Sequence, residues 1–197
     1  MCRAGFALIH SRNESLARMM SSALHNEPRF SYVVPDEQAR SMVLQWFFRS
    51  VAIPVCSANG EIDTTENGGA LWIRPGESAA FQESLHSEIA AAPFNLGSTS
   101  VRRACKLLSR IHHVHSRLVR GPHWYLLAHV GHAAIVLKPV LTRADSEGLP
   151  CYVEVFDERN LPLYISLGFQ FCGAGRVPGG GPNFWSMLRP PQNQIKM

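Results

Sequence analysis

Charge is scarce in this chain: only 17% of its 197 residues are Asp, Glu, Lys or Arg, and the net excess of +4 is not gathered into a tail. No aromatic platform interleaves with the cations, which argues against a nucleic-acid stripe. Five cysteines (Cys2, Cys56, Cys105, Cys151, Cys172) lie far apart with no CxxC pair. An odd, dispersed set excludes a disulfide framework or a zinc ribbon and reads as incidental thiols in a reducing compartment. The longest apolar runs, LVRGPHWYLLAHV and AAIVLKPVL, are broken by His, Arg, Lys or Pro before the roughly 20 residues of a membrane span. No membrane partner is therefore expected. The N-terminal stretch lacks an apolar h-region, since His10, Arg12, Asn13 and Glu14 follow soon after Arg3. A cytoplasmic location is the expectation. No glycine-rich turn opens a helix either. GAGRVPGGG, residues 173–181, lies between two strand-like segments beside Pro182, so it reads as a turn and not as a phosphate cradle.

What is present is apolar material, 46% of the residues, enough for one core in a chain of this length. A single domain over residues 1–197 is expected. Phe6 to His10 reads as a first strand, and Ser11 to Glu14 has capping-box spacing ahead of a helix that Pro28 ends. Pro35 and Asp36 open a second helix with Met42, Val43, Trp46, Phe47 and Val51 on one face. VAIPVCSANGEIDTT and GGALWIRP read as a strand hairpin. Gly76 to Ala91 is a helix with Phe81, Leu85 and Ile89 on one face. Ser98 to Arg120 is a further helix, basic along one side and carrying Val101, Ala104, Leu108, Ile111, Val114 and Leu118 on the other. The spacing then predicts a strand WYLLAHV, a helix from Ala133 to Gly148 and a strand CYVEVF. A short helix over Asn160 to Leu167 and strands FQFCGA and NFWSML close the chain.

Two clusters invite a chemical reading. His112 and His115 share a helix face with His113 beside them, but a metal site needs a third ligand and a second shell. The trio is read as a polar helix end, and no metal is expected. His25, His129 and His132 are isolated imidazoles on spacing alone. In DERNLPLYISLGF, Asn160 and Tyr164 are four residues apart on one helix face and can project into one cleft. Equally, Asn160 can cap the helix while Tyr164 packs.

HWYLLA, then LKPVLTRADSEGLPCYVEVFDERNLPLYISLGF, then VPGGGPNFWSMLRPP resembles the GNAT superfamily of acetyl-CoA-dependent N-acetyltransferases, and within it the puromycin N-acetyltransferase-like branch. The likeness is concentrated between His123 and Pro191, with SLARMMSSALHNEPRFSYVVPDEQAR consistent with the branch's first helix and following loop. The resemblance implies an α+β fold, an α/β/α sandwich built on a mixed, twisted sheet of about six to seven strands, with a cofactor-binding core over about residues 121–190. It implies transfer of an acetyl group from acetyl-CoA directly to a primary amine of a small molecule, in a monomer or homodimer. Tyr164 falls at the family's general acid, and Glu154 at a carboxylate suited to act as base or to orient the amine. Ala128, His129, Val130, Gly131, His132, Ala133, Ala134 and Asn160 fall at cofactor positions.

The sequence departs from the branch at two places. Ala128 stands where the family's cofactor turn has Gln or Arg, and several residues of the usual strand end and turn are absent, so residues 128–130 must serve as strand end or as cofactor turn and can hardly do both. Val155 and Phe156 occupy positions usually small or hydroxylated. The shortened turn leaves a second reading open: a weak or inactive GNAT-like protein kept as a binding module, or a gene model missing a coding segment.

Overall fold

The computed structural model describes residues 2–92 and 96–192, with side chains from Ser11 onward. Its centre is a six-stranded mixed sheet in the order β1-β2-β3-β4-β6-β5. These strands are β1 (Gly60–Thr65), β2 (Gly68–Ile73), β3 (Trp124–Val130), β4 (Cys151–Val155), β5 (Gln170–Arg176) and β6 (Asn183–Arg189). All neighbours are antiparallel except β3 and β4. Helices cover both faces of the sheet, giving the expected three-layer sandwich. On one face α1 (Cys2–Ala23), α2 (Pro28–Val33), α3 (Glu37–Phe47), α4 (Ile53–Asn59), α5 (Ser78–Ala90) and α6 (Ser98–Leu118) pack over Leu71, Ile73, Tyr125 and Tyr152. On the other, α7 (Ala133–Val136), α8 (Lys138–Glu147) and α9 (Leu161–Ser166) cover Trp72, Trp124, Leu126 and Val153.

Several local expectations fail for identifiable reasons. Phe6 to His10 is not a strand, because α1 runs through it and through the supposed capping box at Ser11. Trp124 to Val130 is consequently the third strand of the described chain. Pro28 does not end the first helix. It occupies the first turn of α2, where a missing N–H costs nothing. The first half of the expected hairpin, from Val51 to Asn59, is helical: a π-turn over Phe48–Ala52 joins α3 to α4. Buried Leu44, Phe48, Val51, Ala52, Val55 and Cys56 recur at helical spacing, and that stripe outweighs the β-branched alternation of Val51, Ile53 and Val55.

This joined run, Glu37–Asn59, is 23 residues long and holds an 18-residue window with a mean hydropathy of 1.2, so by length and composition it reaches the measure of a membrane span, contrary to the expectation from uninterrupted apolar stretches. Its buried side chains pack into the same core as α1, α5 and the sheet. The helix expected over Ala133–Gly148 is interrupted at Leu137, because Pro139 has no N–H to return to Ile135. Gly148, with φ of 67°, closes α8 as expected. The glycine turn over 177–182 links β5 to β6, with Gly179 and Gly180 both at positive φ.

One largely buried ion pair fastens the last strand to the helices. Arg189 donates two bonds to the Asp145 carboxylate, at 2.6 and 2.8 Å, and a third to the Leu167 carbonyl at 2.9 Å. The Arg189 guanidinium holds the Asp145 carboxyl below its usual range. Replacing Asp145 by Ala strands the guanidinium, and is expected to cost about 3 kcal/mol, or a Tm loss of roughly 6–12 °C by calorimetry at pH 7. A carboxyl with a depressed folded pKa contributes its stability above the unfolded value and loses it as pH falls through the folded one. The gap between wild type and Asp145→Ala should therefore close in acid.

Candidate active site

The strands β3 and β4 pair over only three positions, Trp124↔Cys151, Tyr125↔Tyr152 and Leu126↔Val153. Beyond them they part. The cause lies on the other side of β3, where Trp72 faces Leu126 but Leu71 faces Ala128, leaving Leu127 as an extra residue. Such a bulge bends and over-twists its strand, and it swings the end of β3 away from β4.

The opening is a cleft of about 340 Å³ lined by Leu126 to Gly131 of β3 and its turn, Val153 to Asp157, Asn160 and Tyr164. Glu27 at the N-cap of α2 and Arg29 in its first turn close it. Arg29 pairs with Glu27 at 2.5 Å, donates to the Leu127 carbonyl at 3.3 Å, and lies over the Phe156 ring at 5.3 Å. Phe156 thus packs beside the guanidinium at the place where the sequence departs from the branch.

Three side chains give the cleft its chemistry. Glu154, on β4, is 9% exposed, and its Oε1 is buried with no hydrogen-bond partner. Burial pushes its carboxyl up to about 7, against the lowering pull of the Tyr125 and Tyr152 hydroxyls and the Arg29 charge. His129, on β3, has a buried Nδ1 without a partner. Desolvation and then the Arg29 charge bring it down to about 4, so the ring is neutral. Tyr164 packs edge-on to His129 at 5.8 Å and to Phe169 at 5.6 Å. Burial raises its phenol well above 10, which keeps it a proton donor at neutral pH.

The structure brings Glu154, Tyr164, Ala128, His129, Val130, Gly131 and Asn160 around one cleft. It leaves His132, Ala133 and Ala134 outside that lining: Ala133 is buried in the second core, and His132 and Ala134 face solvent. Only Gly131 and His132 separate β3 from α7. The first ladder bonds run from Ile135 and Val136 back to the His132 carbonyl, so the amides of Ala133 and Ala134 stand ahead of them. Gly131 is obligatory here, with φ of 89° and a would-be Cβ 2.6 Å from the Asn67 carbonyl. Asn160 sits at the entry of α9 without a side-chain cap bond; Asp157 caps the preceding turn instead.

A second chamber, of about 80 Å³, lies between the helices and the sheet. Phe30, Val33, Phe47, Phe48, Phe81 and Tyr125 line it, and it meets the cleft at Arg29, Leu127 and Ala128. Among the described residues its charged lining is Arg29 and Arg40.

Sequence reading missed Glu27, Arg29 and the environment of His115. Of the HHVH trio, His112 and His113 are exposed while His115 is buried, so the cluster is more than a polar helix end. The three-residue step from His112 to His115 was visible, but which of them turns inward depends on α6 docking over Tyr152. Among the described residues no group of three or more His, Cys, Asp or Glu is gathered for a metal.

The fold, a mixed six-stranded sheet flanked by helices, matches that of GNAT acetyltransferase structures. The chain superposes on a structure described as histone acetyltransferase HPA2 and related acetyltransferase from Corynebacterium glutamicum, with a TM-score of 0.55 at 20% identity over 94% of both chains. A mosquito arylalkylamine N-acetyltransferase-like protein matches with a TM-score of 0.50 at 13% identity over 89% of this chain and 95% of that one. A Drosophila melanogaster polyamine N-acetyltransferase matches with a TM-score of 0.49 at 13% identity over 90% of this chain and 96% of that one. No family model matches the chain.

The raised Glu154 carboxyl has a thermodynamic signature. It holds its proton to about 7 in the folded chain against 4.5 unfolded, so the protonated form's contribution is present at low pH and lost as pH rises through 7. Wild type should lose roughly 3 kcal/mol relative to Glu154→Gln between pH 5 and pH 8. Denaturant melts at the two pH values measure it.

Proposed function

We propose that the chain is an N-acetyltransferase that moves an acetyl group from acetyl-CoA directly to a primary amine of a small molecule. The observation that carries this reading is the parting of β3 and β4 at Leu126/Val153, which opens a cleft holding Glu154 and Tyr164 together. The residues fit the cofactor. A buried polar atom in the lining, His129 Nδ1, lacks a partner, and the end of β3 has no strand beside it on the β4 side. Ala128, His129, Val130 and Gly131 would hold the pantetheine arm with Asn160. The amides ahead of α7, at His132, Ala133 and Ala134, would meet the pyrophosphate. Bound acetyl-CoA would supply an activated thioester.

Glu154 is the base that takes a proton from the acceptor ammonium, and a carboxyl near 7 is half deprotonated at neutral pH. Tyr164 keeps its proton and can give it to a leaving thiolate. The apolar chamber takes the acceptor's body. Because the charged lining among the described residues is cationic, an acceptor with one amine and an apolar or aromatic body suits it better than one with a second ammonium. Within the fold, the segments after His123 favour the puromycin N-acetyltransferase-like branch, and a cytoplasmic monomer or homodimer accords with the reading.

A specific observation supports a second reading, a weak or inactive GNAT-like binding module. The turn that should meet the pyrophosphate is reduced to Gly131 and His132. Calorimetric titration of acetyl-CoA separates the two: heat with a micromolar Kd is expected, and none at high micromolar concentration overturns the enzyme. Tyr164→Phe should then lower kcat by about a hundredfold with acetyl-CoA binding kept, and wild-type kcat/KM should rise with pH through about 7.

A further inference from the structure

Behind Glu154, away from the cleft, a chain of hydrogen bonds runs through two histidines. His123 Nδ1 lies 2.8 Å from the Gly121 carbonyl, and its Nε2 lies 2.7 Å from Nε2 of His115. The His115 ring stacks on Tyr152 at 4.1 Å, and its Nδ1 is 3.8 Å from the orphaned Oε1 of Glu154.

The proton positions follow from the far end. A carbonyl can only accept, so His123 carries its proton on Nδ1 and donates to Gly121. Its Nε2 then holds a lone pair, so His115 must donate from Nε2. His115 Nδ1 is left unprotonated and facing the carboxyl. Both rings are neutral, since burial lowers each and brings His115 to about 3.

We infer that His115 and His123 are positioning residues for Glu154: His123, anchored on Gly121, locks His115 in the tautomer whose Nδ1 can only accept, so the carboxyl meets a lone pair and keeps its proton on Oε1. Were His115 free to carry its proton on Nδ1, it would donate to the carboxylate and favour the charged form. The other groups facing Glu154 are accounted for. Tyr125 from β3, Tyr152 from β4 and Arg29 from α2 all favour the anion, and Cys172 from β5 senses it as a like charge when ionised. Tyr152 is partly committed elsewhere, since its hydroxyl donates to Ser186 at 2.9 Å. The lock thus opposes the polar neighbours and works with burial. It touches neither substrate nor cofactor.

Its bearing on catalysis rests on the acetyltransferase reading, but its existence does not. Nitrogen-15 NMR of the histidines in protein without acetyl-CoA should show His123 protonated on Nδ1 and His115 on Nε2, and His115 protonated on Nδ1 overturns the inference. Carbon-13 NMR of the Glu154 carboxyl then gives its titration midpoint in wild type, His123→Phe and His115→Phe. Freeing the lock with His123→Phe should lower the midpoint by about one unit, a tenfold change in the proton equilibrium. His115→Phe keeps the stacked ring but has no N–H to offer, so its midpoint should stay raised. Equal lowering in both variants indicates simple wetting of the pocket and overturns the lock, as does no change in His123→Phe. If acetyl-CoA binds, the acid limb of kcat/KM in His123→Phe should move down by the same unit. A failed titration with acetyl-CoA counts against the enzyme reading, while the tautomers and midpoints still decide the lock.

Discussion

Past Leu126, β3 carries one residue more than the strand it pairs with, and Leu127 has no partner in β2. A bulge in an antiparallel pair turns the strand, and here it does so where β3 would otherwise continue beside β4. The parallel pairing stops after three positions, the cleft opens between the two strands, and the Leu127 carbonyl is freed to receive Arg29. Every proposed functional group depends on that bend. Glu154 and Tyr164 face the space it creates, His129 lines it from the turned strand, and the apolar chamber meets it at Leu127 and Ala128.

The site combines buried side chains with unmet hydrogen-bonding capacity. Orphaned buried polar atoms are costly, on the order of 1–3 kcal/mol each, so His129 Nδ1 in the cleft and Glu154 Oε1 behind it mark a place where the fold has given up stability. The same burial separates the roles of the proposed pair: it brings the Glu154 carboxyl near neutrality and holds the Tyr164 phenol far from it. Arg189 and Asp145 show the opposite policy, a charge pair with its partners satisfied, anchoring the outer strands against α8 so that the opening stays local.

Much of this was legible in the residues from Trp124 onward. The strands there are short and bounded by Gly121-Pro122, Gly148 and the 177–182 turn, signals that act locally and hold in the fold. Glu154 and Tyr164 were named from a resemblance, and the fold brings them to one cleft. Upstream, local signals competed with tertiary packing. Val51 to Val55 alternates like a strand yet extends the buried stripe of α3, and the residues around Ser11 have capping spacing inside a continuous helix. Arg29 could not be read in advance, because it acts across 98 positions of sequence on Leu127. His115 needed the register of α6 over Tyr152, which no short motif encodes. The compressed turn at Gly131 was visible as an absence, and its result is that His132, Ala133 and Ala134 stand outside the cleft lining.

The central claim is that the parted end of β3 is a cofactor-binding edge. Amide hydrogen exchange with and without acetyl-CoA tests it most directly. The account predicts new protection within Leu127 to Val130 on addition of acetyl-CoA, with the β1–β2 hairpin unchanged. Exchange in that segment that is indifferent to acetyl-CoA at saturating concentration would contradict it.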